Sequence, residues 1–346
     1  MPTLDRIERT CRRDLGEREL RIALLEEIRA RVPCDAYAWL LTDPETSVGS
    51  APLAETPSLA DLPALIRLKY LTSTNRWTTM AAGSAASLIE ATAGDRSQSR
   101  LWAELLSGYG IADVASTVFR DQYGCWGFLD LWRRDGPFTA TDRAFLARVA
   151  AIVTPALRRS LFATFALAPE TPVHRTEPVL LLLSPDLEPL TQTPETVPHL
   201  RALLPTDAGR APVPAGAYNV AAQLLAREAG VDDNPPWARV HLRDGLWVTL
   251  RAARMAAPAG AGPAAIAVSI EPTPPAERTS VYASAAGLTG RETELLRYLV
   301  GGADTRELAA RLFVSEHTVQ DHLKSVFAKT GAGNRRILVA RATGAG

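Results

Sequence analysis

The spacing of apolar positions divides the chain into three blocks. In the first, "ELRIALLEEIRARV" repeats its apolar residues every three or four positions, which predicts an amphipathic helix. "DAYAWLLTD" predicts a strand that ends in a turn, and "LADLPALIRLKYL" and "SRLWAELLSGYG" predict helices. "DVASTVFRD" and "GCWGFLDLWRRDG" read as strands joined by a tight turn at Gln122–Gly124. "TATDRAFLARVAAIVTPALRRSL" reads as a long helix started by a threonine cap. The order helix, strands, helices, hairpin, helix fits an antiparallel sheet with helices packed against it.

The second block repeats the mixture. "PVLLLLSPD" predicts a strand, and "TVPHLRALL" and "AYNVAAQLLAREAG" predict helices. Three strands follow, "WARVHLRDG", "LWVTLRAARM" and "AIAVSIEP". In the first of these, Ala238, Val240 and Leu242 alternate with Arg239, His241 and Arg243, the mark of a half-buried antiparallel strand. No internal sequence repeat is visible. The proline-rich stretches "APETPVHRTEP" (168–178) and "EPTPPAERTS" (271–280) read as linkers or strand exits.

The third block has no strand pattern. "TGRETELLRYLVGG", "DTRELAARL", "SEHTVQDHLKSVFAKTG" and "NRRILVARAT" predict four short helices. Thr289 with Glu292 and Asp304 with Glu307 have capping-box spacing, and Ser315 is placed to cap the third helix. Gly301–Gly302 and Gly331 are placed to end the first and third. The expected fold class is therefore multidomain α+β, with domains at 17–165, 177–272 and 285–346, the last of them all-α.

Charge changes the picture only locally. Lys+Arg and Asp+Glu both total 38 over 346 residues, so the chain as a whole is not a general polyanion binder. From residue 285 onward nine basic side chains face six acidic ones, a local charge of +3. Cys11, Cys34 and Cys125 are odd in number and widely spaced, which supports neither a disulfide framework nor a zinc site. The charged N-terminus does not read as a signal peptide, and runs such as Val179–Leu183 are too short to span a bilayer. A cytoplasmic protein is expected, with no membrane partner.

The chemistry concentrates in the third block. A short helix, a turn at Phe313–Ser315 and a second helix make a helix-turn-helix, whose second helix offers its solvent face to the DNA major groove. Val319, Leu323, Val326 and Phe327 form the apolar face of that helix, while His317, Gln320, Asp321 and Lys324 form a polar stripe. Gln pairs with adenine, Asp accepts from cytosine and Lys donates to guanine, so the stripe suits base reading. An ordinary solvated face, with Asp321 paired to Lys324, is the competing reading. His322 falls between Val319 and Val326 and reads as a packed histidine.

The stretch "LTGRETELLRYLVGGADTRELAARLFVSEHTVQDHLKSVFAKTGAGNRR" resembles the LuxR/NarL-type DNA-binding domain. The resemblance runs without a gap through Leu288, Thr289, Arg291, Glu292, Gly302, Glu307, Ala309, Leu312, Ser315, Thr318, Val319, His322, Lys329, Gly331 and Arg335. It implies that Gln320, Asp321 and Lys324 read bases and that Thr305, Arg306, Thr318 and Lys329 approach phosphates. Ser315, His317 and Arg335 complete the candidate DNA-binding set. It also implies dimerisation through the fourth helix, with Ile337, Leu338 and Val339 available. Family members often carry Lys at the position of Gln320 and seldom an acid at that of Asp321, so the target sequence is open.

Residues 17–165 resemble a GAF domain in element order and in "GCWGFLDLW", and residues 177–272 resemble a PAS domain. Both resemblances imply a sensor that holds a small-molecule effector between sheet and helices. The candidate pocket residues are Tyr37, Trp39, Trp77, Trp102, Trp126, Asp130 and Trp132, although aromatics of this kind also fill cores. Asp130 shares a strand face with Trp126, Phe128 and Trp132 if the strand is regular, where its carboxylate must be paired, exposed or turned to a polar ligand group. His174 and His199 are isolated and read as exposed, and no haem, flavin, metal or other cofactor is expected. No G-x-x-x-x-G-K-[ST], G-x-S-x-G or metal triad occurs, so the chain does not read as an enzyme. The expected partners are an operator in double-stranded DNA, a second copy of the chain and, for an activator, RNA polymerase. The alternative function is a regulator controlled by protein–protein contacts through the two sensor blocks, with no small-molecule ligand.

Overall fold

The computed structural model describes residues 2–166, 178–203, 214–242, 246–256 and 264–344. Of the linker or strand exit expected at 168–178, all but Pro178 lies outside these residues, His174 included. The chain forms two compact units, one of Met1–Leu157, Arg175–Val240 and Val248–Glu271, the other of Arg158–His174, His241–Trp247 and Pro272–Gly346.

The first unit begins with α1 (Pro2–Cys11) and α2 (Glu17–Arg31), followed by β1 (Ala36–Thr42), β2 (Gly49–Glu55), α3 (Leu62–Leu71), β3 (Ala85–Ser87), α4 (Leu88–Ala91) and α5 (Arg100–Glu104). The hairpin β4 (Asp113–Asp121) and β5 (Gly124–Arg133) and the long α6 (Ala140–Ala163) follow. The five strands make an antiparallel sheet in the order β2-β1-β5-β4-β3. β2 carries Pro52 and lies at the sheet edge, where a missing N–H costs no ladder bond. Gly127 is needed on β5, because a Cβ there would meet the Leu40 carbonyl at 2.6 Å. The Thr139 hydroxyl accepts from the Asp142 N–H at 3.1 Å and caps α6.

α6 with the turn after it is long and apolar enough to cross a membrane by length and composition, which corrects the expectation that no segment qualifies. Leu146, Val149, Ala150, Val153 and Leu157 on it are nonetheless buried in the protein.

A second antiparallel sheet is built from β6 (Leu180–Leu183), β7 (Pro189–Gln192), β8 (Trp237–His241), β9 (Trp247–Arg254) and β10 (Ile266–Pro272), with α7 (Thr196–Leu203) and α8 (Ala215–Glu228) inserted between β7 and β8. Its order, β7-β6-β10-β9-β8, repeats that of the first sheet strand for strand. The repeat is topological and has no counterpart in residue identity. His199 of α7 is 3% exposed and its Nδ1 lies 2.7 Å from the Glu195 carbonyl, so it is a packed residue rather than the exposed one expected.

Within this unit, buried ion pairs join residues from both predicted sensor blocks. Arg239 meets Asp43 through Nε at 2.7 Å and Nη2 at 2.8 Å, and both side chains are closed to solvent. Arg76 meets Asp232 at 2.8 Å and the Gln223 amide oxygen at 3.2 Å. α8 packs on α3 and β2.

The second unit contains α9 (Pro275–Ala285), α10 (Gly290–Val300), α11 (Thr305–Leu312), α12 (Glu316–Thr330) and α13 (Arg335–Thr343). Of the two readings of 271–280, the strand exit holds, since β10 ends at Pro272, and the linker does not, since α9 begins at Pro275. Pro274 stands at its N-cap and Pro275 in its first turn, where the missing N–H is an orphan in any case. The prolines mark a helix start. α9 packs against α10 and α13. Its Tyr282 is fully buried edge-on to Phe165, at 5.2 Å. Its Arg278 lies over the same ring at 4.8 Å and donates to the Arg341 and Ala342 carbonyls at the end of α13.

Candidate nucleic-acid interface

The local chemistry read from the sequence sets the helices of the second unit. Thr289 with Glu292 and Asp304 with Glu307 form complete capping boxes, and the Ser315 hydroxyl accepts from the Thr318 N–H at 3.1 Å. α11 ends at Phe313, whose φ of +54° is left-handed and unusual for an aromatic, and α12 ends at Gly331 with φ +62°. Leu295, Leu296, Leu308, Leu312, Val319, Leu323 and Val326 fill the core between the helices. With α12 held by that face, its opposite stripe turns outward.

His317, Gln320, Asp321 and Lys324 are all exposed on α12. Lys324 Nζ donates to Asp321 at 3.1 Å, and His317 Nε2 lies 3.6 Å from the same carboxylate. The Lys324 hydrogen bond holds the Asp321 carboxyl below its usual range. Ion pairs this exposed are weak, so a nucleic acid can compete for each group. Gln320 has no internal partner among the described residues, so its amide is free for a base edge. His322 is half-buried, as its position between Val319 and Val326 suggests.

The residues read as phosphate contacts divide. Arg306 is exposed, and Thr318 shares a hydrogen bond with Ser315 at 2.9 Å. Arg335 at the start of α13 donates to the Thr305 hydroxyl at the start of α11, at 2.7 Å. Lys329 is engaged internally, with Nζ 2.6 Å from Glu292, whose side chain is 5% exposed. Burial alone would raise the Glu292 carboxyl, yet bonds from Lys329, Ser325 and the Thr289 N–H pull it down to about 2. Sequence reading took Glu292 as a cap alone and missed this second role, because no short-range pattern links it to Lys329.

On α13 the expected dimer residues do not share one environment. Leu338 is fully buried in the core of its own unit, which corrects its assignment as a free interface residue. Ile337 is exposed and Val339 half-buried. The helix presents its neighbouring positions outward because Leu338 and Ala342, one turn apart, face inward.

The candidate pocket residues also divide. Asp130 and Trp132 line a cavity of about 230 Å³ beside the first sheet, with Ala38 and Leu40 of β1. Strand alternation puts Tyr37 and Trp39 on the opposite face, where Trp39 stacks on Phe119 at 5.1 Å. Trp77 backs the cavity wall, stacked on Phe128 at 4.4 Å, with its Nε1 donating to the Ser47 carbonyl. Trp102 donates to the Ile111 carbonyl. A register shift in the β4–β5 ladder leaves Trp126 without an opposite residue, and its Nε1 donates to Asp121. Neither Trp102 nor Trp126 lines the cavity, and the strand regularity assumed for Trp126 does not hold.

Comparison with known proteins bears on the second unit. Residues 286–342 match the family described as bacterial regulatory proteins, luxR family. They form a LuxR-family helix-turn-helix domain. The chain is 45% identical over 53 residues to the probable transcriptional regulatory protein SgaR of Hyphomicrobium methylovorum, covering 15% of this chain and 25% of that protein. It is 48% identical over 48 residues to the CsgBAC operon transcriptional regulatory protein of Escherichia coli, covering 14% and 22%. It is 42% identical over 48 residues to the spore germination protein GerE of Bacillus subtilis, covering 14% and 65%. The chain thus spans a quarter or less of the length of the first two relatives. Over 99% of this chain and 96% of its counterpart, the crystal structure of Escherichia coli SdiA aligns at 12% identity with a TM-score of 0.36. The LuxR-family domain begins at the end of α9 and contains every candidate DNA-binding residue.

Proposed function

We propose that the chain is a sequence-specific DNA-binding transcriptional regulator in the cytoplasm. The observation that carries this reading is the outward polar stripe of α12 within a LuxR-family domain, with a free Gln320 amide at its centre. Gln320, Asp321, Lys324 and His317 read base edges, and Arg306, Thr305, Thr318, Ser315 and Arg335 position the backbone. Lys329 contributes positive potential while its bond to Glu292 holds α12 on α10. The regulator works as a homodimer joined through the exposed side of α13, with Ile337 and Val339 in contact, and RNA polymerase is its partner if it activates.

Residues 17–165 act as a GAF-like and residues 177–272 as a PAS-like sensor region that responds to a small molecule. Two antiparallel sheets of identical strand order, each with helices inserted, support that reading. A genome-wide binding profile of the tagged chain, followed by titration of the recovered duplexes, tests it. Discrete sites sharing a motif are expected, and uniform low occupancy across the genome would overturn the proposal.

A further inference from the structure

The cavity beside the first sheet has mainly apolar walls and two buried polar features, the Lys69–Asp130 pair on its floor and Asn219 at one end, whose Oδ1 has no hydrogen-bond partner among the described residues. Leu40, Leu65, Ile66, Phe128 and Trp132 contribute the walls, and Ala215 and Asn219 of α8 close one end. Lys69 of α3 and Asp130 of β5 form the polar floor, with Lys69 Nζ 2.6 Å from Asp130 Oδ2 and the two side chains 14% and 3% exposed. Asp130 Oδ1 accepts from the Ser116 hydroxyl at 2.8 Å. The mouth lies beside Arg18, Ala54 and Leu59, and Leu59 is an apolar residue left 58% exposed.

The floor is unevenly satisfied. An ammonium carries three N–H donors. Among the described residues, Lys69 Nζ has one ion-pair partner, Asp130. Its other neighbours are the faces of Trp77 and Phe128, at 5.7 and 5.5 Å. Spare donors therefore stand at the bottom of an apolar cleft, while the pair they belong to is neutral overall. A neutral pair offers a second anion little, since a carboxylate on Lys69 would sit against Asp130. A hydrocarbon would fill the walls and leave the donors unmet. The volume is below the 300–1,000 Å³ range usual for drug-sized ligands, which limits the occupant to a compact molecule.

We infer that this cavity binds a compact, uncharged, mainly apolar molecule carrying a carbonyl or hydroxyl oxygen that accepts from Lys69 Nζ. The inference rests on the sensing role proposed above and gives that role a site and a ligand class. α8 is part of the site, so an occupant bridges the first sheet to a helix of the second sensor block.

The test is a ligand-observed NMR titration of the full chain with three probes of nearly one shape: benzamide, benzoate and isopropylbenzene. Benzamide is expected to bind about tenfold more tightly than either of the others. The double variant Lys69→Met/Asp130→Leu replaces the pair with apolar groups of similar size, a change that commonly preserves folding. It should keep isopropylbenzene and lose the preference for benzamide. Ala54→Trp, at an exposed position on the rim, should weaken all three probes at least tenfold. Equal binding of benzamide and isopropylbenzene by the wild type would show a greasy cleft only. Tighter binding of benzoate would show an anion site, and no binding of any probe would show a hydrated surface cleft. Each of these results overturns the inference. The sensing role is judged separately: benzamide binding that leaves DNA affinity unchanged would keep the site and remove the role.

Discussion

Glu292 and Lys329 offer a quantitative test of what holds α12 in place. The carboxyl of Glu292 falls from its usual 4.5 to about 2 on folding. At 1.36 kcal/mol per unit this corresponds to at most about 3 kcal/mol at neutral pH. Lys329 is 33% exposed, and solvent screening brings the expected contribution to about 2 kcal/mol. Because the folded value lies below the unfolded one, the contribution is fully present above about pH 4.5. It is lost as pH falls toward 2. The perturbation is Glu292→Gln, alone and combined with Lys329→Met. The assay is native-state hydrogen exchange on the amides of Leu323–Val326, which reports the local stability of α12 within the full chain. At pH 7, Glu292→Gln should lower that stability by about 2 kcal/mol, and most of the difference should vanish by pH 3. The double-mutant cycle should return a smaller coupling, about 1 kcal/mol, because Ser325 and the Thr289 N–H share in holding the carboxylate. A coupling below about 0.5 kcal/mol, or a difference that does not change with pH, would refute the argument.

Other expected outcomes follow from the same structure. Asp43→Ala removes the buried carboxylate that Arg239 meets through Nε and Nη2 and leaves the guanidinium with exposed Glu45, 3.0 Å from Nη2, so it should cost about 3 kcal/mol in denaturant unfolding of the first unit. Replacing residues 275–285 with a Gly/Ser chain of equal length should remove α9 and its Arg278 and Tyr282 contacts; circular dichroism and thermal melting should show lost helix and a less stable second unit. Raising salt from low to physiological concentration should weaken binding to any duplex steeply, because phosphate contacts release counterions, and anisotropy titration reads this directly.

What could be read from the sequence depended on how far apart the determinants lie. Both capping boxes, the Ser315 cap and the Gly331 stop were legible because each cause sits within four residues of its effect. The exposed polar stripe of α12 followed from helical period alone. β7 was invisible because all four of its residues are exposed, so no alternation marks it. The strand exit at Pro272 was legible, but α9 was not, because proline suits a strand exit, a linker and a helix start alike, and the contacts that decide between the last two come from α10 and α13. The phase of alternation on β1 was equally undetermined. Ala38 and Leu40, not Tyr37 and Trp39, face the cavity, and only pairing with β5 fixes that. The Asp43–Arg239 pair joins residues 196 positions apart, with no local pattern to announce it.

The most direct test of the central claim compares Gln320→Ala with the wild type on two DNAs: the highest-occupancy duplex from the binding profile and a scrambled duplex of equal length and composition. Both are titrated at the same salt concentration. If α12 reads bases, the substitution should cost about 1–3 kcal/mol on the specific duplex and almost nothing on the scrambled one, since it removes a base contact and leaves the phosphate contacts intact. Equal losses on both duplexes, or no loss on either, would contradict the assignment of α12 as the reading helix.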